Sequence, residues 1–172
     1  MFFPSNLAVA LILIQSAPEA VGEQSRFSAV DENVKRPVDL PPGVVAILAK
    51  NAGVKDVIES LGLPPERLPL SWFLASEIHL SGRNEKDLVV VGTGAIMGAN
   101  VTTFWIFRPR HGGFELLLDA APALELVIKD SRSHGDRDVE LSAATAVTAS
   151  TVLLKFDGRG YRMYSNSLEP IN

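Results

Sequence analysis

The chain has 172 residues, 47 % of them hydrophobic and 21 % charged, with a formal net charge of −4 and no cysteine. That balance describes a globular core and excludes a disordered chain, and zero cysteine excludes disulfides, thiolate metal sites and a cysteine nucleophile. The densest basic stretch, Arg108-Pro109-Arg110-His111, is too small to attract nucleic acid strongly, so a nucleic-acid partner is not expected.

From Phe2 to Pro18 no side chain is charged, Leu7 to Ile14 is an unbroken apolar run, and small residues follow at Ser16, Ala17 and Ala20. Such a run falls short of the ~20 apolar residues that a spanning helix needs. It fits the central region of a secretory signal, although no Lys or Arg precedes it. Residues 1–20 are therefore read as an export signal and 21–38 as a flexible leader. Residues 39–166 form a single domain and 167–172 a C-terminal tail. After signal removal about 150 residues remain, enough to bury a core without a staple. No later apolar run reaches membrane-spanning length, so no membrane span is expected in the mature chain.

Asp39-Leu40-Pro41-Pro42 offers a cap and a first-turn proline. Val44, Ile47 and Leu48, then Val54, Val57, Ile58 and Leu61, follow helical spacing. Asn51-Ala52-Gly53 divides them into two short helices and Gly62 ends the second. Leu63 to Arg67 is a proline-stiffened connection. From Leu70 the texture changes. Phe73–Leu80, Leu88–Val91, Val101–Phe107, Phe114–Leu118, Leu124–Ile128, Val139–Ala146 and Thr151–Phe156 read as strands. Ser81-Gly82, Arg110 to Gly113, His134-Gly135-Asp136 and Asp157-Gly158 supply the turns, the last being the strongest hairpin signal. Helices followed by a block of strands predict an α+β fold. The strands are expected to form an antiparallel meander, making a curved sheet or a small barrel or sandwich.

Asp87 to Gly98 runs a hydrophobic strand into Gly92-Thr93-Gly94, as a dinucleotide-binding unit begins. The third glycine, Gly98, falls one residue late. The strand-like Val101–Phe107 stands where a phosphate-binding helix would start, so a hairpin loop is the expectation. Asp130 to Asp138 gathers hydroxyls, an imidazole and carboxylates in nine residues. A catalytic triad converges from separate elements, and the spacing misses a calcium loop. This stretch is expected to be a charged hairpin tip. Were it to bind a ligand, Arg132 and Arg137 would contact an anion and Asp136 and Asp138 a cation. His79, His111 and His134 lack the i, i+4 helical spacing of a zinc enzyme, and neither a metal nor a cofactor is expected. Alternation sends Phe104 and Ile106 to one face of their strand, Trp105 and Phe107 to the other. Either the sheet is covered on both sides or one side is an apolar binding surface.

Ile78 to Val90 (Ile-His-Leu-Ser-Gly-Arg-Asn-Glu-Lys-Asp-Leu-Val-Val) resembles the FG-GAP type of secreted repeat in its Asp-Leu-hydrophobic strand half, Asp87 to Val90. The loop before it lacks that family's alternating carboxylates, so calcium binding is not carried over. Phe104 to Phe107, Gly112-Gly113, Leu116 to Leu118, Phe156 to Gly158 and Tyr161 together resemble uncharacterised exported bacterial β-rich proteins. The resemblance covers Trp72 to Tyr164 and implies export and a compact β-rich domain, with no known reaction.

These readings converge on an exported, non-catalytic domain that binds a partner protein or a cell-envelope component through one sheet face. The residues expected to make contact are Trp105, Phe107, Arg132, His134, Asp136, Arg137 and Asp138. Two alternatives stand beside it. One is a small-molecule or nucleotide carrier with the Gly92–Gly98 loop at its mouth. The other is a hydrolase built on residues 130–138, with His134, Asp136 and Asp138 working with a residue from a distant strand. Exposed edge strands leave self-association open.

Overall fold

The computed structural model describes residues 24–28, 34–64, 67–82, 85–99 and 101–171. The expected export signal at 1–20 lies outside the described residues. Two antiparallel sheets carry the architecture. The smaller contains β2 (Phe73–Ile78), β3 (Asp87–Gly92), β4 (Thr102–Arg110) and β5 (Gly113–Ala123) in that spatial order. The larger contains β1 (Arg26–Ser28), β6 (Glu125–Ser133), β7 (Asp136–Ala144), β8 (Thr148–Phe156) and β9 (Tyr161–Pro170), in the order β1-β6-β7-β8-β9. Two short helices, α1 (Pro42–Leu48) and α2 (Ala52–Ser60), complete the fold.

Local chemistry explains the boundaries. Pro42 starts α1, where its missing N–H costs nothing, and Pro41 holds the N-cap position with no side-chain cap. Asn51 caps α2 by accepting from the Val54 amide. Gly62, at φ 63°, ends that helix, and Leu63 N–H reaches back to the Ile58 carbonyl at 3.1 Å. The β6–β7 turn is formed by His134 and Gly135, at φ 51° and 90°. Positive φ at both central positions matches the twist of the flanking strands.

The molecule has three layers. Ile78, Val89, Val91, Phe104 and Ile106 of the smaller sheet pack against Leu126, Ile128, Val139, Leu154 and Phe156 of the larger. On the smaller sheet's other face, Phe73, Val90, Trp105 and Phe107 meet Val44 and Leu48 of α1 and Val54 and Ile58 of α2. β3 and β4 are therefore buried on both sides, which is why they read as continuous apolar runs. Each such side chain contributes roughly 1.5–3 kcal/mol of burial. Of the two arrangements that alternation allowed for Phe104 to Phe107, the covered one is observed: no open apolar face exists at Trp105 and Phe107.

The sheets are not closed into a barrel. The chain crosses from one to the other at Leu124, between β5 and β6. A second junction joins the end of the β2 arm to β7, where Arg137 N–H donates to the Leu80 carbonyl at 2.9 Å and Ser81 pairs with Asp136. Two spans differ from the sequence reading. β1 lies within the stretch read as a flexible leader and pairs with β6, burying Phe27; one apolar residue between two polar ones is too short a pattern to register. β9 runs through Ser167 to Pro170, read as a tail, because β8 supplies its ladder partners as far as Thr148. No helix among the described residues is long and apolar enough to cross a membrane.

Candidate functional site

The 130–138 stretch is a hairpin whose side chains are largely spent on its own construction. Between Ile128 and Arg132 the β6–β7 register skips, so Lys129, Asp130 and Ser131 face Asp138 alone. Arg137 takes up carbonyls that this irregularity frees, donating from Nε to Lys129 O at 2.8 Å and from Nη2 to Ile128 O at 3.3 Å. It also pairs with Asp130 at 3.0 Å. Ser131 Oγ donates to Asp138 Oδ2 at 2.7 Å. Arg132, exposed, donates to the Leu80 and Gly135 carbonyls. His134 Nδ1 lies 2.8 Å from the Phe156 carbonyl. The Ser131 hydroxyl is thus held by a carboxylate while the imidazole faces a backbone oxygen, and no nucleophile–base pair forms among them.

Asp136 belongs to a different and deeper constellation, most of which sequence reasoning missed. Arg108, on β4, donates to Asp87 Oδ1 through Nε at 2.7 Å and to Oδ2 through Nη2 at 3.1 Å. The same Nη2 stands 2.8 Å from Asp136 Oδ2 across the sandwich, an ion pair outside hydrogen-bond alignment. The guanidinium also lies over the Phe156 ring, 5.5 Å from its centroid. All three charged side chains are buried. Burial alone would lower the Arg108 pKa, but the hydrogen bonds and charge of Asp87, and after them the nearby Asp136 carboxylate, outweigh it and the pKa rises. Tyr161 seals the edge of this cluster, donating to the Arg137 carbonyl at 2.6 Å. Its phenol pKa is pushed up, first by burial and then by the Asp136 charge. The arrangement joins the sheets; among the described residues no group of three or more His, Asp or Glu could hold a metal ion. Nothing local marks Arg108 and Asp87 as partners, because they are 21 residues apart.

The glycine loop between β3 and β4 has a structural reason for its first two glycines. A Cβ on Gly92 would stand 2.6 Å from Ile96 Cγ2 and 3.0 Å from Thr102 Oγ1. Gly94 sits at φ 53° in a 3₁₀ turn, Gly94–Ile96. Thr93 is fixed to the β2 approach, donating from N–H to Trp72 O at 2.7 Å and from Oγ1 to Ser71 O at 2.9 Å. An antiparallel connection of this kind has no helix N-terminus to receive a phosphate.

Beside that loop, under α2, lies a cavity of about 190 Å³. Val54, Val57, Ile96, Thr103, Trp105 and Ala120 are among its walls, and no lining residue is charged. Trp105 is buried edge-to-face against Phe73, with ring centroids 5.7 Å apart, and its Nε1 has no hydrogen-bond partner. Phe107 is fully buried under the helices.

The remaining unusual surface is β9. Every residue from Arg162 to Pro170 is exposed, and β9 ends the sheet order. β8 holds β9 along its length and is itself paired with β7, while at the turn end side chains of the hairpin are tied down as well. There Phe156 and Tyr161 enter the core, and Asp157 Oδ1 accepts from the Arg159 and Gly160 amides at 2.8 Å.

Compared with protein-family models, with curated proteins and with solved structures, the chain matches none.

Proposed function

We propose that this chain is an exported, non-catalytic domain that binds a partner polypeptide as an added strand along the outer side of β9. The observation that carries the reading is the exposure of Met163, Tyr164 and Leu168, at 67 %, 67 % and 69 %. They lie on a ten-residue edge strand. Long edges are usually blunted with charge, proline or a covering element. Here Met163-Tyr164-Ser165-Asn166-Ser167-Leu168 carries neither charge nor proline. An extended peptide added to such an edge gains main-chain hydrogen bonds, and alternate side chains give it specificity. The docking surface expected from sequence at Trp105 and Phe107 lies beneath the helices, so β9 takes its place. Arg132 and His134 remain exposed at the β6–β7 tip.

A photoreactive amino acid placed at Tyr164, or at exposed Lys55 on α2 as a control, tests this in cells expressing the full chain. Discrete protein adducts in the envelope fraction are expected from position 164 and not from 55, and they should be lost when Leu168→Lys charges the edge. Equal labelling from both positions, or none from 164, would remove β9 as the docking surface. Retention of the chain in the cytoplasm would remove the exported role.

A further inference from the structure

On the strand-addition reading above, we infer that the partner strand is β9 of a second copy of this chain. The two edges pair antiparallel about a twofold axis at Asn166, joining both larger sheets into one. The order of side chains along β9 points there, and one extra residue sets that order. β8 pairs Leu154 with Met163 and Leu153 with Ser165, which leaves Tyr164 as a β-bulge. Lys155, between core-facing Leu154 and Phe156, points to the outer face of the sheet. Its Nζ lies 3.7 Å from the centre of the Tyr164 ring, so the extra side chain stands on that outer face too.

The β8 partners assign a face to each β9 side chain. Met163, Asn166 and Leu168, opposite Leu154, Val152 and Ser150, lie on the inner face. Arg162, Ser165, Ser167 and Glu169, opposite Lys155, Leu153, Thr151 and Ala149, lie on the outer one. Directly opposed residues of an antiparallel pair share a face, and a twofold axis makes every contact reciprocal. A second β9 laid with Asn166 against Asn166 brings Arg162 opposite the partner's Glu169. The same register sets Met163 opposite the partner's Leu168 and Ser165 opposite the partner's Ser167. In a regular strand this match is impossible, because Arg162 and Glu169, like Met163 and Leu168, differ by an odd number of residues and would face opposite sides. The bulge at Tyr164 corrects the parity, so charge meets opposite charge and apolar meets apolar in one register. Met163 and Leu168, 67 % and 69 % exposed, cover each other there. Arg162 reaches Asp157 of its own chain at 3.3 Å yet stays 70 % exposed, open to a second carboxylate.

Sedimentation equilibrium on the purified full chain tests this, alongside Arg162→Glu, Glu169→Arg and an equimolar mixture of the two variants. Wild type is expected to be a dimer. Each single variant sets like charges opposite one another at both symmetric positions and should weaken the dimer about tenfold. In the mixed pair every side chain at 162 faces an opposite charge at 169, so dimerisation should return to the wild-type level. Asn166→Cys, in a chain that otherwise has no cysteine, should crosslink to its own copy through a short bismaleimide, and Lys55→Cys should not. Should Arg162→Glu unfold the turn it shares with Asp157, the Asn166→Cys crosslink decides. A monomer at the highest soluble concentration, a dimer indifferent to both charge changes, or no recovery on mixing folded variants would each overturn the self-pairing. Photo-adducts from position 164 that differ in mass from two copies of the chain, with a monomeric purified chain, would reject the second copy and keep strand addition on β9. Absence of any adduct would reject both.

Discussion

Arg108 on β4 and Asp136 on β7 belong to different sheets, and the 2.8 Å between Nη2 and Oδ2 makes them a charged contact across the sandwich. The same guanidinium holds Asp87 on the neighbouring strand. Removing the cation strands two buried carboxylates. Arg108→Met should therefore cost about 3–5 kcal/mol, whereas the triple change Arg108→Met, Asp87→Leu, Asp136→Leu should be near neutral or stabilising, because it removes the desolvated charges together. Urea unfolding midpoints check both, and an Arg108→Met midpoint equal to wild type would contradict the account.

Tyr161 supplies an alkaline limit. Its folded pKa lies above the ordinary tyrosine value through burial and the nearby Asp136 charge. A phenol that stays protonated when folded but ionises when unfolded contributes stability that is complete below about pH 10 and lost as pH rises beyond it. Tyr161→Phe should lose a little stability at neutral pH with its hydrogen bond to Arg137 O, about 0.5–1.5 kcal/mol. It should also show a flatter decline than wild type above pH 10. Thermal melts from pH 8 to 11.5 on both proteins distinguish the slopes.

At the other end of the scale, Asp157 is held below the ordinary carboxylate range, first by the Gly160 amide and then by the Arg159 amide. A depressed folded pKa contributes stability present above the unfolded value, about 4, and lost as pH falls through the folded one. Asp157→Asn keeps an oxygen acceptor for the turn. It should thus remove the share of acid sensitivity below pH 4 that Asp157 contributes, without unfolding the β8–β9 hairpin. Parallel acid titrations followed by circular dichroism measure the difference.

Gly92 and Gly98 make a matched pair of tests. Alanine at Gly92 meets Ile96 at 2.6 Å, whereas at Gly98 the nearest atoms lie at 3.4 Å. Gly92→Ala should cost about 1–3 kcal/mol by overpacking, and Gly98→Ala should stay within about 0.5 kcal/mol of wild type. Comparable losses at both positions would point instead to a role for the whole loop.

What the sequence determined by itself was local. Strand periodicity with turn residues indicated antiparallel β structure, and the uninterrupted apolar run of Val89, Val90 and Val91 against Phe104 to Phe107 already required two faces to be accounted for. His134-Gly135 and Gly158 carry the backbone freedom their turns use, and Asp157 serves its turn through its carboxylate. Tertiary structure decided everything that depends on residues distant in the chain. It showed both faces of β4 covered, withdrew Trp105 and Phe107 from the surface, and parted Asp136 from its neighbours in the 130–138 stretch to join Arg108 and Asp87. It also placed a bulge opposite Trp105 and extended β9 along β8. The physical reason is range. Backbone preference and alternation act over a few residues and are written in order, whereas a buried charge, a cavity wall or a sheet edge acquires its neighbours only when strands tens of residues apart are laid side by side.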